Sequence, residues 1–293
     1  MTLRHFKIFV AVCDTMNMTA AAEQLFMSQS AVSQAIAELE KHYDVRLFER
    51  LSKKLYLTQA GQKLLGYARP IIRMNAEAES NMKTLQKNST IRIGASVTVS
   101  AHVLPGQVSA FNKISPQTDI IVFEDNTQKI ENLILQDQID IGLVEGETTS
   151  PDVLNHPFME DELVLVCSAN HRFAACSQVE PKELQKENFI IREKGSGTRK
   201  TFEDSMTAHH LTWNVIWTCN NADTIKEAVA EGLGVSVISK RAVVNEVASG
   251  ILCQKQVRGI RFHRQFKIVY HKNKFLTESM KQFIDLCVSR ASK

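Results

Sequence analysis

The sequence predicts a multi-domain chain: a mainly α N-terminal module with a β wing, a long linking helix, and a C-terminal α/β module. Three observations predict it. Residues 18–39, MTAAAEQLFMSQSAVSQAIAEL, read as two short helices joined by a tight turn. Residues 58–87 carry an apolar stripe at alternating steps of four and three. From residue 89 onward, β-type runs alternate with amphipathic stretches, the rhythm of α/β units around a largely parallel sheet. With 293 residues, 44% of them hydrophobic, the chain can bury two or three real cores.

Leu3, Phe6, Phe9, Val10 and Cys13 recur at helical spacing and predict a first helix. A second is expected from about Thr19 to Leu25, capped by Thr19. A third begins near Ser28, another capping residue, and runs past Leu39, with Val32, Ile36 and Leu39 on one buried face. Gln29, Ser30, Ser33, Gln34 and Ala37 fall on the other side, which stays uncharged until Glu38. A solvated face carries Lys and Glu. An amide-and-hydroxyl face suits base edges, because Gln bonds adenine through two hydrogen bonds and Ser adapts to several bases. A helix-turn-helix places the start of its second helix there. The blander alternative is a helical hairpin in an ordinary domain.

Arg46–Arg50 and Leu55–Leu57 flank the basic turn Leu51–Lys54, the pattern of a wing that lies along the sugar-phosphate backbone. Between residues 46 and 73 stand Arg46, Arg50, Lys53, Lys54, Lys63, Arg69 and Arg73, against Glu49 as the one acid. The whole-chain charge of only +3 does not announce nucleic acid, but this local excess does. Gln29, Ser30, Ser33 and Gln34 are therefore the candidates for base contact, and Thr19, Arg50, Lys53 and Lys54 for phosphates.

Thr58 caps the expected long helix. Leu64, Ala68, Ile71, Asn75, Ala78, Met82 and Leu85 form a coiled-coil seam, for which a second copy of the chain is the natural partner. Asn75 would fix register in that seam, and Pro70 would kink or divide the helix. Residues 88–90 are a polar hinge. After it, strands are expected at Ile91–Ala95, Asp119–Phe123, Asp140–Val144, Glu162–Cys167, Phe189–Arg192, Asn214–Cys219, Val235–Ile238 and Phe266–Tyr270. Helices are expected at Val99–Phe111, Lys129–Leu135, after Gly197, at Ala222–Ala230 and at Phe275–Arg290.

Over its full length the chain resembles the LysR-type transcriptional regulators. The carrying residues are Leu3–Phe6, Met18–Leu25, Ser28–Ser33, Ile36 with Leu39 and Glu40, Leu47–Arg50, Leu57–Gly61 and, late in the chain, Gly232–Val235. The resemblance implies a winged helix over residues 1–58, a dimerising linker helix over 59–88, and a two-lobed effector domain over 89–293, like a periplasmic binding protein. Its first lobe would take about 89–161 and 268–293, its second about 162–267. Promoter DNA, a small effector and further copies of the chain, usually to a tetramer, are the implied partners; RNA polymerase is a candidate further one. Many members have Pro where this chain has Ser30 and Arg where it has Gln34, so base preferences do not carry over. Residues 191–199 and 143–146 are similar to the branch of sulfur-assimilation and carbon-fixation regulators, which favours a small anionic effector.

Such a module holds its ligand between the lobes. Ser96, Thr98 and Ser100 follow a strand at a helix start, where hydroxyls and free amides meet an anion. Ser196, Gly197, Thr198 and Arg199 sit at the equivalent junction of the second lobe, and Thr127 and Asn221 are weaker contributors. Simple helix capping explains each cluster alone. Glu145 would oppose a highly charged anion if it pointed inward.

Two other function classes fare worse. An enzyme would need a catalytic signature, and GxSxG, HExxH, a P-loop and a full GxGxxG are all absent. A transport solute-binding protein would need an export signal, which the N-terminal pattern does not provide. Cys13, Cys167, Cys176, Cys219, Cys253 and Cys287 form no CxxC pair and read as reduced thiols; adjacent His209 and His210 point apart, so no metal and no cofactor is expected. No apolar run reaches membrane-spanning length, and the expected location is the cytoplasm.

Overall fold

The computed structural model describes residues 1–51, 54–83 and 89–291. By contacts the chain falls into two compact units: Met1–Lys87 with Leu135–Asp137 and Asn273–Phe275, and the remainder.

The first unit begins with three helices, α1 (Leu3–Thr15), α2 (Met18–Gln24) and α3 (Gln29–Tyr43). Phe9, Val12, Ala21, Val32, Ile36 and Leu39 close its core. The cap of α2 is Asn17, not Thr19: Asn17 Oδ1 accepts from the amides of Thr19 (2.9 Å) and Ala20 (3.2 Å). Thr19 lies inside the first turn, where its hydroxyl cannot reach the free amides. Ser28 does cap α3, accepting from the Ala31 amide at 3.2 Å. Strands β1 (Phe48–Leu51) and β2 (Lys54–Leu57) pair antiparallel, Phe48 opposite Leu57 and Leu51 opposite Lys54. Glu40 anchors this hairpin to α3 by accepting from the amides of Leu47 (2.7 Å) and Phe48 (3.2 Å).

Helix α4 (Gln59–Lys83) is capped by Thr58, whose Oγ1 accepts from the Gly61 amide at 3.0 Å. Pro70 does not divide it. Two of the seven expected seam positions are spent within the chain: Ala68 is fully buried in the helical core and Leu64 packs on it. The exposed apolar stripe keeps the expected Ile71 and Ala78 and adds Tyr67 and Met74. Asn75 donates to Glu79 of its own helix at 2.7 Å rather than standing free. Leu85 lies outside the described residues, as does the side chain of Met82.

The second unit starts with β3 (Thr90–Ser96), α5 (Val97–His102), α6 (Leu104–Ile114), β4 (Asp119–Asp125), α7 (Thr127–Leu135) and β5 (Ile141–Glu145). The single helix expected at Val99–Phe111 is two, because Pro105 opens α6 and the chain leaves helical geometry at Val103. Strands β3, β4 and β5 are parallel, as the rhythm predicts. The sheet as a whole is mixed, because two long strands run antiparallel through it: β6 (Val153–Ser168) and, much later, β12 (Phe262–His271). β12 pairs with β5 on one side and β6 on the other, and so ties the lobes together. Residues Gln178–Val179 form β7 and Pro181–Leu184 form α8; then β8 (Asn188–Arg192), α9 (Gly197–Ala208), β9 (Asn214–Cys219), α10 (Ala222–Ala230), β10 (Ser236–Ser239), α11 (Val244–Ala248) and β11 (Leu252–Val257) complete the second lobe. α12 (Glu278–Ala291) returns to the first, where Phe283 packs edge-on against Phe111 at 5.4 Å. Each lobe has its own core: Ile93, Phe111, Leu143 and Ile268 in the first; Leu165, Phe189, Phe202 and Val237 in the second.

Candidate DNA-binding surface and effector crevice

The outer face of α3 is built from its first two turns. Gln29, Ser30 and Gln34 are exposed and Ser33 is half-buried, while Val32, Ala35 and Ile36 hold the helix to the core from the other side. Ser30 Oγ lies 3.0 Å from Ser28 Oγ. Gln34 Nε2 donates to Glu38 Oε1 at 2.9 Å, and the other oxygen of Glu38 meets His5 Nε2 at 2.9 Å. The hydrogen bond from His5, then that from Gln34, holds the Glu38 carboxyl below its ordinary pKa. Thr19, Arg50 and Lys54 are exposed on α2 and the wing; Lys53 lies outside the described residues. The sequence reading missed Phe26. It sits in the turn before α3, 97% exposed, at φ +53°. That is an expensive backbone for a bulky residue.

In the second unit, the hydroxyl clusters do converge, but on a carboxylate of the chain itself. Glu145, at the end of β5, is 1% exposed. Its Oε2 accepts from Ser96 Oγ and its Oε1 from Thr198 Oγ1, each at 3.1 Å, and the Thr98 hydroxyl also favours the charged carboxylate. Arg264 of β12, 2% exposed, donates from Nη1 to Thr198 Oγ1 at 2.8 Å and stands 3.6 Å from Glu145 Oε1. Its Nε pairs with Asp161 at 2.8 Å. Burial alone would raise the Glu145 pKa; the charges of Arg264 and Arg192 and the hydroxyls of Thr98 and Thr198 outweigh it, and the net shift is downward. The sequence foresaw an inward Glu145 only as a condition. Arg264 comes from a distant strand and is itself paired with Asp161, 103 positions away, so neither gave a local signal.

The remaining expected residues divide. Thr127 donates to the Glu145 carbonyl at 3.0 Å. Asn221 caps α10, accepting from the Thr224 amide at 2.8 Å, so the capping alternative holds there. Arg199 is tied to Glu203 (2.7 Å) and the Arg192 carbonyl (3.3 Å). Ser100 is half-buried in α5. Above Glu145, a chamber of about 360 Å³ opens between the lobes, lined by Thr127, Gln128, Lys194, Gly195 and Ser196 among others. Ser196 is the residue before α9, 1% exposed, yet its hydroxyl makes no cap bond and has no partner among the described residues.

The helix-turn-helix, wing and two-lobed α/β module together match two family models. The one described as a bacterial regulatory helix-turn-helix protein of the lysR family covers residues 3–62, and the LysR substrate binding domain covers 85–292. The chain belongs to the LysR family. The family is one of transcriptional regulators. It is 31% identical to the HTH-type transcriptional regulator YeiE of Escherichia coli K12, over 98% of this chain and 97% of that one. It is 28% identical to the HTH-type transcriptional regulator CysL of Bacillus subtilis, over 97% and 95%. Among solved structures, the regulatory domain of Synechocystis CcmR in complex with 2-PG superposes with a TM-score of 0.66 at 24% identity, over 71% of this chain and 99% of that one. The chain is also 28% identical to the RuBisCO operon transcriptional regulator of Allochromatium vinosum, over 100% of this chain and 97% of that one, so CysL and a RuBisCO regulator both stand among the relatives of this LysR-type chain, consistent with the branch resemblance. Among the described residues, no helix is long and apolar enough to cross a membrane.

Proposed function

We propose that this LysR-type regulator reads promoter DNA with Gln29, Ser30, Ser33 and Gln34, steadied on phosphates by Thr19, Arg50, Lys53 and Lys54. The carrying observation is the uncharged, exposed amide-and-hydroxyl face at the start of a capped α3. The exposed stripe Tyr67, Ile71, Met74 and Ala78 supports dimerisation through α4 with a second copy. Assembly to a tetramer, contact with RNA polymerase and residence in the cytoplasm belong to the same reading. A small anion bound between the lobes, at Ser196, Gly197 and Thr127, would favour one lobe arrangement and so change the spacing of the DNA-binding pairs. Ser96, Thr98 and Thr198 serve that crevice through Glu145; Arg199 lines it, tied to Glu203, and Ser100 and Asn221 are peripheral to it. The regulated genes are those of sulfur or carbon assimilation, as the names of the relatives suggest.

The test is selection of genomic fragments by the purified protein, with Gln34→Ala as control and salt varied. The expected result is a short dyad-symmetric motif, altered in the variant. Affinity should fall with salt by a log–log slope of about −0.9 per phosphate neutralised. Weak binding, equal for every fragment and unchanged by the variant, would sink this reading.

A further inference from the structure

We propose that Glu145 is the specificity-determining residue of the crevice: its carboxylate is a built-in anion that fills the oxyanion pocket of Ser96, Thr98, Thr198 and Arg264, so that tetrahedral dianions are excluded and the effector is a monoanion held in the outer chamber by Ser196 and Lys194. The inference rests on the crevice being the effector site and names the class of ligand that it takes.

The pocket around Glu145 has the donor set of an oxyanion receptor. Three hydroxyls converge from both lobes, two of them at 3.1 Å, with a buried guanidinium behind them. Glu145 supplies the negative charge inside this set; of the Arg264 nitrogens, Nε and Nη1 are engaged and only Nη2 has no partner among the described residues. The backbones beside it are closely packed. Gly197, the first residue of α9, lies so close that a Cβ on it would meet the Glu145 carbonyl oxygen at 2.1 Å. A dianion placed here would face a fixed carboxylate at low dielectric, an unfavourable like-charge contact.

The outer chamber has a different balance. Each acid on its wall already has a partner. Glu131 accepts from the amides of Thr149 (2.9 Å) and Ser150 (2.5 Å), Glu147 is paired with Lys267, Glu203 with Arg199, and Asp204 with Lys200. Lys194 is exposed at the rim and has no ion-pair partner among the described residues. The Ser196 hydroxyl is orphaned beside the first amides of the 12-residue α9, which are oriented toward an acceptor. One unpaired ammonium, one orphaned hydroxyl and one helix end suit a single negative charge, as on a carboxylate.

Melting of the full chain, titrated with sodium sulfate and with a panel of small monocarboxylates at fixed ionic strength, tests this. The wild type is expected to ignore sulfate beyond the effect of chloride, and to respond saturably to a monocarboxylate. Lys194→Ala and Ser196→Ala should lose that response. Glu145→Gln keeps the shape, removes the like charge from the pocket while Arg264 keeps its Asp161 partner, and should gain about a hundredfold in sulfate affinity. Saturable sulfate binding by the wild type, or a Glu145→Gln chain that still ignores sulfate, overturns the proposal. Should that variant not fold, the wild-type sulfate titration alone decides. A wild type that selects DNA normally but responds to no anion removes the crevice reading and this inference together, while the DNA reading stands.

Discussion

Gly197 and Glu145 touch backbone to backbone across the lobe junction. A Cβ added to Gly197 would stand 2.1 Å from the Glu145 carbonyl oxygen and 2.7 Å from its Cγ. Neither atom can yield cheaply, since Glu145 is also held by Thr127, Ser96 and Thr198. Gly197→Ala should therefore force the start of α9 away from β5, at a cost of about 1–3 kcal/mol. Urea denaturation should show a lower midpoint, and fragment selection should be retained, because α3 belongs to the other compact unit. An unchanged midpoint would mean that α9 moves freely against the first lobe.

Glu145 also gives stability a pH dependence of known sign. Its pKa in the folded chain lies below the ordinary glutamate value. A group depressed in this way stabilises the fold fully above its unfolded pKa, and that contribution is lost as pH falls through the folded pKa. The effector module should thus weaken progressively below the ordinary glutamate range. Denaturation midpoints measured down a pH series should fall less steeply in Glu145→Gln than in the wild type. Parallel curves would assign the acid loss to other carboxylates.

On the proposed reading, Glu38 competes with DNA for Gln34. The same carboxylate that accepts the Gln34 amide is fixed by His5 at 2.9 Å, so the proposed base reader is oriented before any DNA arrives. Replacing Glu38 by Ala removes a negative charge beside the phosphates and frees the Gln34 side chain. Affinity for unselected fragments should rise, and the preference for the selected motif should shrink by about tenfold, the scale of one bidentate base contact. Competition anisotropy measures both. A preference that stays intact would assign base reading to Gln29 and Ser33 alone.

Much of the fold was legible because its signals are local. Ser28 and Thr58 cap the helices expected of them, and the β3, β4 and β5 rhythm reads directly as parallel strands. Non-local features were not legible. The sequence placed a strand only from Glu162, since Pro157 interrupts the run before it. In the structure β6 starts at Val153, and Pro157 sits opposite Lys267, beside the register shift between Phe266 and Lys267 that accommodates it. Likewise, the Ser96 and Thr198 clusters were visible as donors, but their acceptor was not, because pairing strands from distant positions brings Glu145 and Arg264 to them.

The α2 cap shows the same limit at short range, and it can be tested. Thr19 and Asn17 are both good capping residues two positions apart, and only the backbone decides between them. Met16 takes φ +47° at the end of α1, which leaves Asn17 extended and aimed at the Thr19 and Ala20 amides. Asn17→Ala should cost about 1 kcal/mol in the thermal or urea transition of the N-terminal unit. Thr19→Ala should leave that transition unchanged. Equal losses from both would place the helix start two residues later.

Phe26 sets stability against binding. At 97% exposure it buries almost nothing, and at φ +53° it occupies a region that Asn enters far more easily. Phe26→Asn should therefore stabilise the N-terminal unit by on the order of 1 kcal/mol, with no packing lost. The turn is held by the Met27 amide on the Ala22 carbonyl at 2.9 Å, so the substitution should leave the approach of α3 intact. On the proposed reading, an exposed aromatic two residues before the Ser28 cap adds apolar contact beside the reading helix. The same variant should consequently melt later and bind selected fragments several-fold more weakly. If it melts later and binds unchanged, Phe26 carries strain without a contact, and the DNA surface ends at Ser28.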